Sequence, residues 1–325
     1  MTQRLAATSS GLETAASLLR AGKLVAFGTE TVYGLGADAT NPTAVARIFE
    51  AKNRPRFNPL ISHFDSADAA FQQGVACPLA YKLADAFWPG PLTLVLPRAP
   101  RSTVSDLAAD GLSSLAIRVP RGENVQALLR AVGRPVAAPS ANRSGRISPS
   151  DAAHVLEELD GRIDAVLDTG PCVVGLESTV VDLTTPDRPL LLRPGGVSVE
   201  ALEAVCGPLT FPETESDVAP QSPGRLLSHY APSLPVRLNA TSVHPSEALL
   251  AFGPDHPAGS GTIWNLSQTG NLEEAASRLF AGLRYLDAEG QKLGLTCVAV
   301  QPIPSHGLGL AIQDRLHRAA APRPI

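Results

Sequence analysis

Three short stretches of this chain combine the residue types that hold small anions and polar substrates. The first is Thr29-Glu30-Thr31-Val32-Tyr33-Gly34-Leu35-Gly36. Its hydroxyls can bond a small polar molecule, and its glycines let backbone N–H groups approach one closely. Equally, Gly34 and Gly36 can do no more than permit an unusual turn after a strand. The stretch is neither a Walker loop nor a dinucleotide fingerprint, because GxxxxGKS/T and GxGxxG are both missing from it. The second stretch is Lys52-Asn53-Arg54-Pro55-Arg56-Phe57-Asn58-Pro59-Leu60. A cation at a helix C-terminus balances the macrodipole, which accounts for Lys52 alone. The stiff run that follows, with Arg54 and Arg56 beside two prolines, fits a polyphosphate or carboxylate better. The third stretch runs from Pro139 through Ser140, Asn142, Arg143, Ser144 and Arg146 to Ser150. It forms a polar cradle after a strand, where open α/β sheets bind ligands. Ser150 also fits as the cap of the next helix.

Single residues are more ambiguous. His63 ends an apolar run and reads either as a hydrogen-bonded core histidine or as a ligand contact. Arg118 is one cation in the otherwise apolar Leu115-Ala116-Ile117-Arg118-Val119, so it needs a protein carboxylate or an anionic ligand. Glu177-Ser178-Thr179 and Arg193-Pro194-Gly195 pose the same choice. No spacing supports paired catalytic carboxylates, a Ser-His-Asp order or a His/Cys metal cluster, so no side chain stands out as a covalent nucleophile.

The elements that must position these residues alternate. The apolar pattern predicts strands at 24–27, 60–64, 92–96, 115–119, 136–138, 165–167, 179–183 and 190–192. Helices are predicted at 11–20, from Asn41-Pro42 to Lys52, and at about 79–87, 124–131 and 150–159. This predicts an α/β domain over 1–207. Residues 208–235 carry many prolines and no sustained period, so they read as a linker. A smaller α/β unit over 236–325 follows, with strands at 236–238, 262–266 and 296–300 and helices at 272–286 and 312–320.

Composition narrows the classes. The chain has 325 residues, 44% hydrophobic but only 5% aromatic, so its cores must be built from Ala, Val and Leu. The net charge of −4 is evenly spread, with 19 basic and 21 acidic residues in 1–210 and 8 and 10 in 211–325. That argues against a protein gripping long nucleic acid by its phosphates. Only four of the 27 basic residues are lysines, so a lysine within a motif is conspicuous. Four scattered cysteines, an N-terminus without an apolar signal core and no long apolar run predict a cytoplasmic protein outside the membrane.

Taken together, the stretches resemble the YrdC/Sua family of threonylcarbamoyl-AMP synthases in their long form. The resemblance rests on TETVYGLG at 29–36, FEAKNRPRFNPLISHF at 49–64 with its Lys-x-Arg, FWPGPLTLVL at 87–96 and LAIRVP at 115–120. It extends through PVAAPSANRSGRISPS at 135–150 with its Ser-x-Asn, LESTVVDL at 176–183, LLRPGGVS at 191–198 and SPGRLLSHYAP at 222–232. In the tail, LRYLDAEG at 283–290 and GLGLAIQDRLHRAA at 307–320 are similar too. Gly28 stands where the family usually has Pro, which predicts a looser start to the first loop.

The resemblance implies a YrdC-like twisted mixed sheet joined by a long linker to a smaller Rossmann-like α/β domain. It implies a nucleotidyltransferase that makes L-threonylcarbamoyladenylate from L-threonine, bicarbonate and ATP, with Mg²⁺ on the phosphates and pyrophosphate released. A tRNA threonylcarbamoyl-transferase system would receive the product, and tRNA binding by this chain is not required. By position, Thr31, His63, Arg118, Ser140 and Ser178 would surround L-threonine. Arg54, Asn58, Asn142, Ser150, Arg193 and Tyr230 would contact ATP, and Lys52 and Arg54 would serve the reacting groups. Tyr230 lies in the linker, which suggests closure over the nucleotide. The alternative is a double-stranded RNA or tRNA binder using Arg47, Lys52, Arg54, Arg56, Arg143 and Arg146.

Overall fold

The computed structural model describes residues 1–54, 59–212 and 229–322. The chain begins with β1 (Gln3–Ala6), α1 (Ser9–Arg20), β2 (Val25–Gly28), β3 (Tyr33–Asp38), α2 (Pro42–Lys52) and β4 (Ile61–His63). It continues through α3 (Ala67–Phe71), α4 (Pro78–Phe87), β5 (Leu92–Pro97), α5 (Asp106–Ala109), β6 (Ser114–Arg118) and α6 (Glu123–Val132). Then come β7 (Val136–Ala137), α7 (Ala152–Leu159), β8 (Ala165–Asp168), β9 (Thr179–Asp182), β10 (Leu190–Arg193) and α8 (Val199–Cys206). The last group is β11 (Val236–Arg237), β12 (Glu247–Ala251), β13 (Ile263–Asn265), α9 (Leu272–Lys292), β14 (Cys297–Val300) and α10 (Gly309–Ala320).

Strands β1 to β10 form one mixed sheet in the order β1-β8-β2-β3-β7-β4-β6-β5-β9-β10. Alternation along the strands splits its side chains between two faces. Ala26, Leu35, Ala37, Leu94, Ile117, Val166 and Val181 pack under α2, α4, α5, α7 and α8. On the other face, Val25, Phe27, Val136, Ala165 and Leu167 pack under α1 and α6. Farther along that second face, Ile61, Val95, Ala116 and Val180 make a small apolar floor. The next side chains in the same alternation are His63, Arg118 and Ser178, since His63 pairs with Arg118 and Ile61 with Ala116.

Local sequence sets the helix ends. Asn41 caps α2 by accepting from the Thr43 and Ala44 N–H groups, with Pro42 in the first turn. Asn53, at φ 50°, ends α2 in the left-handed region, which Asn tolerates better than most residues. The cap of α7 is Asp151, which accepts from the Ala153 N–H at 2.9 Å, and not Ser150 as the sequence suggested. A second correction concerns the first glycine stretch. Gly34 and Gly36 lie within β3, in the middle of the sheet. A Cβ on Gly36 would stand 2.6 Å from the Phe27 ring, so that glycine serves close packing and not a turn. Gly28 likewise does not loosen a loop. It pairs with Tyr33, and a Cβ there would meet the Thr169 hydroxyl at 2.1 Å and the Tyr33 ring at 3.1 Å.

The second sheet is parallel throughout, in the order β11-β14-β12-β13, with α9 and α10 packed on one face. Its core is continuous with the first unit, because Val32, Ile147 and Leu176 belong to the same buried cluster as Leu279, Phe280, Leu283 and Ile312. Leu209 packs into the core of the first unit, and Thr210 pairs with Leu190. No helix among the described residues is long and apolar enough to cross a membrane.

Candidate active site

The loop of residues 139–150 is held from beneath by Lys52. The last turn of α2 turns this side chain inward, where it is 1% exposed. Its Nζ donates to Ser140 O at 2.5 Å and to Asn142 O, while Ser144 N donates back to Lys52 O at 2.9 Å. Burial, and then the neighbouring Arg54 charge, push the ammonium well below the ordinary lysine range. Asn142 Nδ2 donates to Arg143 O and Arg146 O at 2.9 and 2.8 Å, so this side chain shapes the loop from within. Its Oδ1 is buried and lacks a partner among the described residues.

Above this scaffold lies a cavity of about 50 Å³. Thr31, His63, Arg118, Ser140 and Ser178, the residues expected around one substrate, line one part of it. Arg54, Arg193 and Tyr230, expected around the other, line the same cavity, as do Glu177 and His229. Lys52 and Asn142 stand behind the wall. Ser150 is buried but does not line the cavity, and its carbonyl accepts from Cys172 N at 2.9 Å. Asn58 and Arg56 fall outside the described residues, as does 213–228 of the linker.

Each wall residue is oriented by a specific partner. Thr29 Oγ1 lies 2.8 Å from both Val32 O and Thr31 Oγ1, and it accepts from Thr31 N at 3.1 Å, so Thr29 holds the Thr31 hydroxyl in place at the cavity wall. His63 Nδ1 faces Ile61 O at 3.2 Å. Burial, reinforced by Arg118, pushes its imidazole down to about 3, so it is neutral near pH 7. Arg118 is not an isolated charge. It pairs with Glu30 at 2.8 Å, both side chains being buried, and its Nε donates to Gly90 O at 3.2 Å. Ser178 Oγ lies 2.7 Å from Thr93 Oγ1. A bulge between Leu191 and Arg193 sets Arg193 opposite Val180, and its Nη2 donates to Ser178 O at 2.9 Å. Burial lowers Arg54 to about 10.

Tyr230 sits at φ 61°, in the left-handed region that a tyrosine rarely adopts. Its ring stacks on Phe280 at 5.4 Å between centroids, and the His229 ring meets it edge-on at 4.1 Å. Burial, then Glu177, push its hydroxyl up to about 12. Glu177 accepts from Ser148 Oγ at 2.5 Å and from Arg315 Nε at 2.8 Å. Burial alone would raise this carboxyl, but Arg315 and Arg193 hold it down at about 2.

Reading the sequence missed Glu30, Ser148, His229 and Arg315 as individual site residues. Arg315 carried a signal, since it shares a helix face with Ile312, Leu316 and Ala319, where a cation is out of place. The RNA-binding alternative loses two of its cations to burial, Lys52 and Arg54, while Arg47 is engaged with Asp164 at 2.9 Å. Among the described residues, no group of three or more His, Cys, Asp or Glu side chains could hold a metal ion.

A mixed α/β sheet closing on a small, buried, arginine-lined cavity defines an enzyme for small anionic substrates. Residues 17–195 match the family described as "Telomere recombination", and 197–321 match "Threonylcarbamoyl-AMP synthase, C-terminal domain". The chain is 40% identical over 342 residues to the threonylcarbamoyl-AMP synthase of Bacillus subtilis, spanning 100% of this chain and 97% of that one. It is 40% identical over 329 residues to the enzyme of the same name from Pyrococcus abyssi, spanning 96% and 94%. The crystal structure of Pyrococcus abyssi Sua5 complexed with L-threonine superposes with a TM-score of 0.88 at 37% identity, covering 98% of this chain and 97% of that one. The chain belongs to the YrdC/Sua family of threonylcarbamoyl-AMP synthases, in the long form with an additional C-terminal domain.

Proposed function

We propose that this chain condenses L-threonine, bicarbonate and ATP into L-threonylcarbamoyladenylate, releasing pyrophosphate, for transfer to the adenosine beside the anticodon of tRNA by a partner system. The observation that carries the reading is the single cavity shared by Thr31, His63, Arg118, Ser140 and Ser178 with Arg54, Arg193 and Tyr230. Two substrate sites built from separate motifs must meet if their ligands are to react.

The chemistry is a joining of anions. The threonine amine adds to the bicarbonate carbon and water departs, forming a carbamate. The carbamate oxygen then attacks the α-phosphorus as the bond to pyrophosphate breaks. No covalent enzyme intermediate is needed; the site must orient the partners and offset their charge. The Thr31 hydroxyl, able to accept, suits the threonine amine. Arg118 suits the carboxylate, with Glu30 limiting the net charge of that corner. Arg54 and Arg193 suit the phosphates, and Tyr230 suits a further contact to the nucleotide. Lys52 serves the reacting groups from behind the wall, by keeping the Ser140 and Asn142 carbonyls in place. Mg²⁺ carried on the ATP phosphates would offset their charge. The reading divides the chain into a catalytic unit at 1–207, a linker at 208–235 and a C-terminal unit at 236–325.

The test is pyrophosphate release from ATP with L-threonine and bicarbonate omitted in turn. Release should require both, and release indifferent to either omission would sink the assignment. Arg54→Ala should raise the KM for ATP by about tenfold, the scale of one lost charge-assisted contact.

A further inference from the structure

The C-terminal unit reaches the cavity through one side chain. Arg315, on α10, is 0% exposed, although it lies on the far side of the linker from the catalytic unit. Its Nε donates to Glu177 Oε2 at 2.8 Å, and its Nη1 donates to Pro194 O at 2.8 Å and to Asp314 Oδ2 at 2.6 Å. Its guanidinium carbon stands 5.5 Å from the centroid of the Tyr230 ring. Arg315 does not itself line the cavity, yet Glu177 and Tyr230 do, and Pro194 directly follows Arg193. One guanidinium therefore touches two wall residues, Glu177 and Tyr230, and the chain neighbour of a third, Arg193.

Charge explains why such a group is needed. Glu177 is a buried carboxylate in a pocket meant for a polyanion. Left uncompensated, it would repel the nucleotide and draw Arg193, the other cation that acts on it. Ser148 supplies it with only a neutral hydrogen bond.

We propose that Arg315 is a positioning residue of the adenylation site. It neutralises Glu177 and backs the Tyr230 ring, so that Arg193 and Tyr230 stay set for ATP. The proposal rests on the assignment of this side of the cavity to ATP. It makes the C-terminal unit part of the catalytic pocket and not an appendage.

The test uses the full chain and two readouts: calorimetric binding of α,β-methylene-ATP, and KM values from pyrophosphate release. Arg315→Met should weaken the analogue and raise the KM for ATP by about tenfold or more, the scale of breaking a buried charge pair. The KM for L-threonine should move less than about twofold. Adding Glu177→Gln to Arg315→Met removes the stranded charge and should bring analogue binding back within about fivefold of the parent. A purely structural role predicts no such rescue. Analogue binding by Arg315→Met within about twofold of the parent, or a loss that Glu177→Gln does not recover, overturns the proposal. If Arg315→Met does not fold, the double variant decides alone: a loss beyond about fivefold overturns it, and a smaller one supports it. A chain that shows this binding pattern but releases no pyrophosphate refutes the reaction assigned above and leaves the role of Arg315 standing.

Discussion

Lys52 departs furthest from the usual behaviour of its residue type. Most lysines at a helix end sit in water, whereas this one spends its donors on two main-chain carbonyls of another loop. Lys52→Met keeps the apolar stem but leaves the Ser140 and Asn142 carbonyls buried without that donor. It should cost about 1–3 kcal/mol of stability in a denaturant titration, the range for buried unsatisfied groups. The rate of pyrophosphate release should fall with it, and an unchanged rate would return Lys52 to a capping role. His63 and His229 make a pH prediction. Burial pushes both from 6.5 down to about 3 in the folded protein. Between those values the unfolded chain takes up protons that the folded chain refuses, so stability declines as pH falls from about 6.5 toward 3. His63→Gln should flatten that decline when the thermal midpoint is followed from pH 7 to pH 4.5. An unaltered slope would mean that the ring takes up its proton as readily in the folded chain as in the unfolded one.

At the scale of elements, most of the catalytic unit was legible because its strands are short apolar runs with clear breaks. Three strands escaped, β1 and two others whose reasons are opposite. β3 was hidden because Tyr33-Gly34-Leu35-Gly36 looks like a flexible loop, yet its glycines answer to the Phe27 ring and Ala138 on neighbouring segments. β12 was hidden because Glu-Ala-Leu-Leu-Ala favours a helix by local propensity, and only pairing with β13 and β14 makes it a strand. In the site, Arg118 could be found because a cation in a strand breaks an apolar pattern, Thr31 because it sits in a hydroxyl- and glycine-rich stretch, and Ser178 through the family resemblance. Glu30 could not, since its importance lies in a partner distant in sequence, whereas Arg315 showed only as a misplaced cation with no partner named. The cap of α7 offers a local check. Asp151→Ala should cost about 1 kcal/mol by thermal melting and Ser150→Ala clearly less in capping, because the Asp151 carboxylate holds the Ala153 N–H. Equal costs would restore the cap to Ser150.

Across the whole molecule, the two units dock through a few close approaches. Gly175, at φ 71°, lies so near α9 that a Cβ would stand 2.5 Å from Ser277 Cα and 2.7 Å from the Ala276 carbonyl oxygen. Arg284 on α9 reaches back to Glu158 on α7 at 2.5 Å and to Ile147 O, and Gly307 N donates to Glu200 at 3.0 Å. Gly175→Ala should therefore destabilise by about 1–3 kcal/mol, as overpacking at a rigid contact does. Its effect should be local: hydrogen exchange should quicken in α9 and α10 while the β2 amides keep their protection. Faster exchange spread evenly over both sheets would instead mean that the units unfold as one.

The long reach from Glu177 to Arg315 also bears on how the protein is born. The two partners are 138 residues apart in the chain. At a translation rate of roughly 5–20 residues per second, the carboxylate is made roughly 7–28 s before its guanidinium. During that interval Glu177 has only Ser148 and Arg193 to answer its charge. Under the role proposed for Arg315, a chain stopped before α10 should therefore bind ATP more weakly than the full chain.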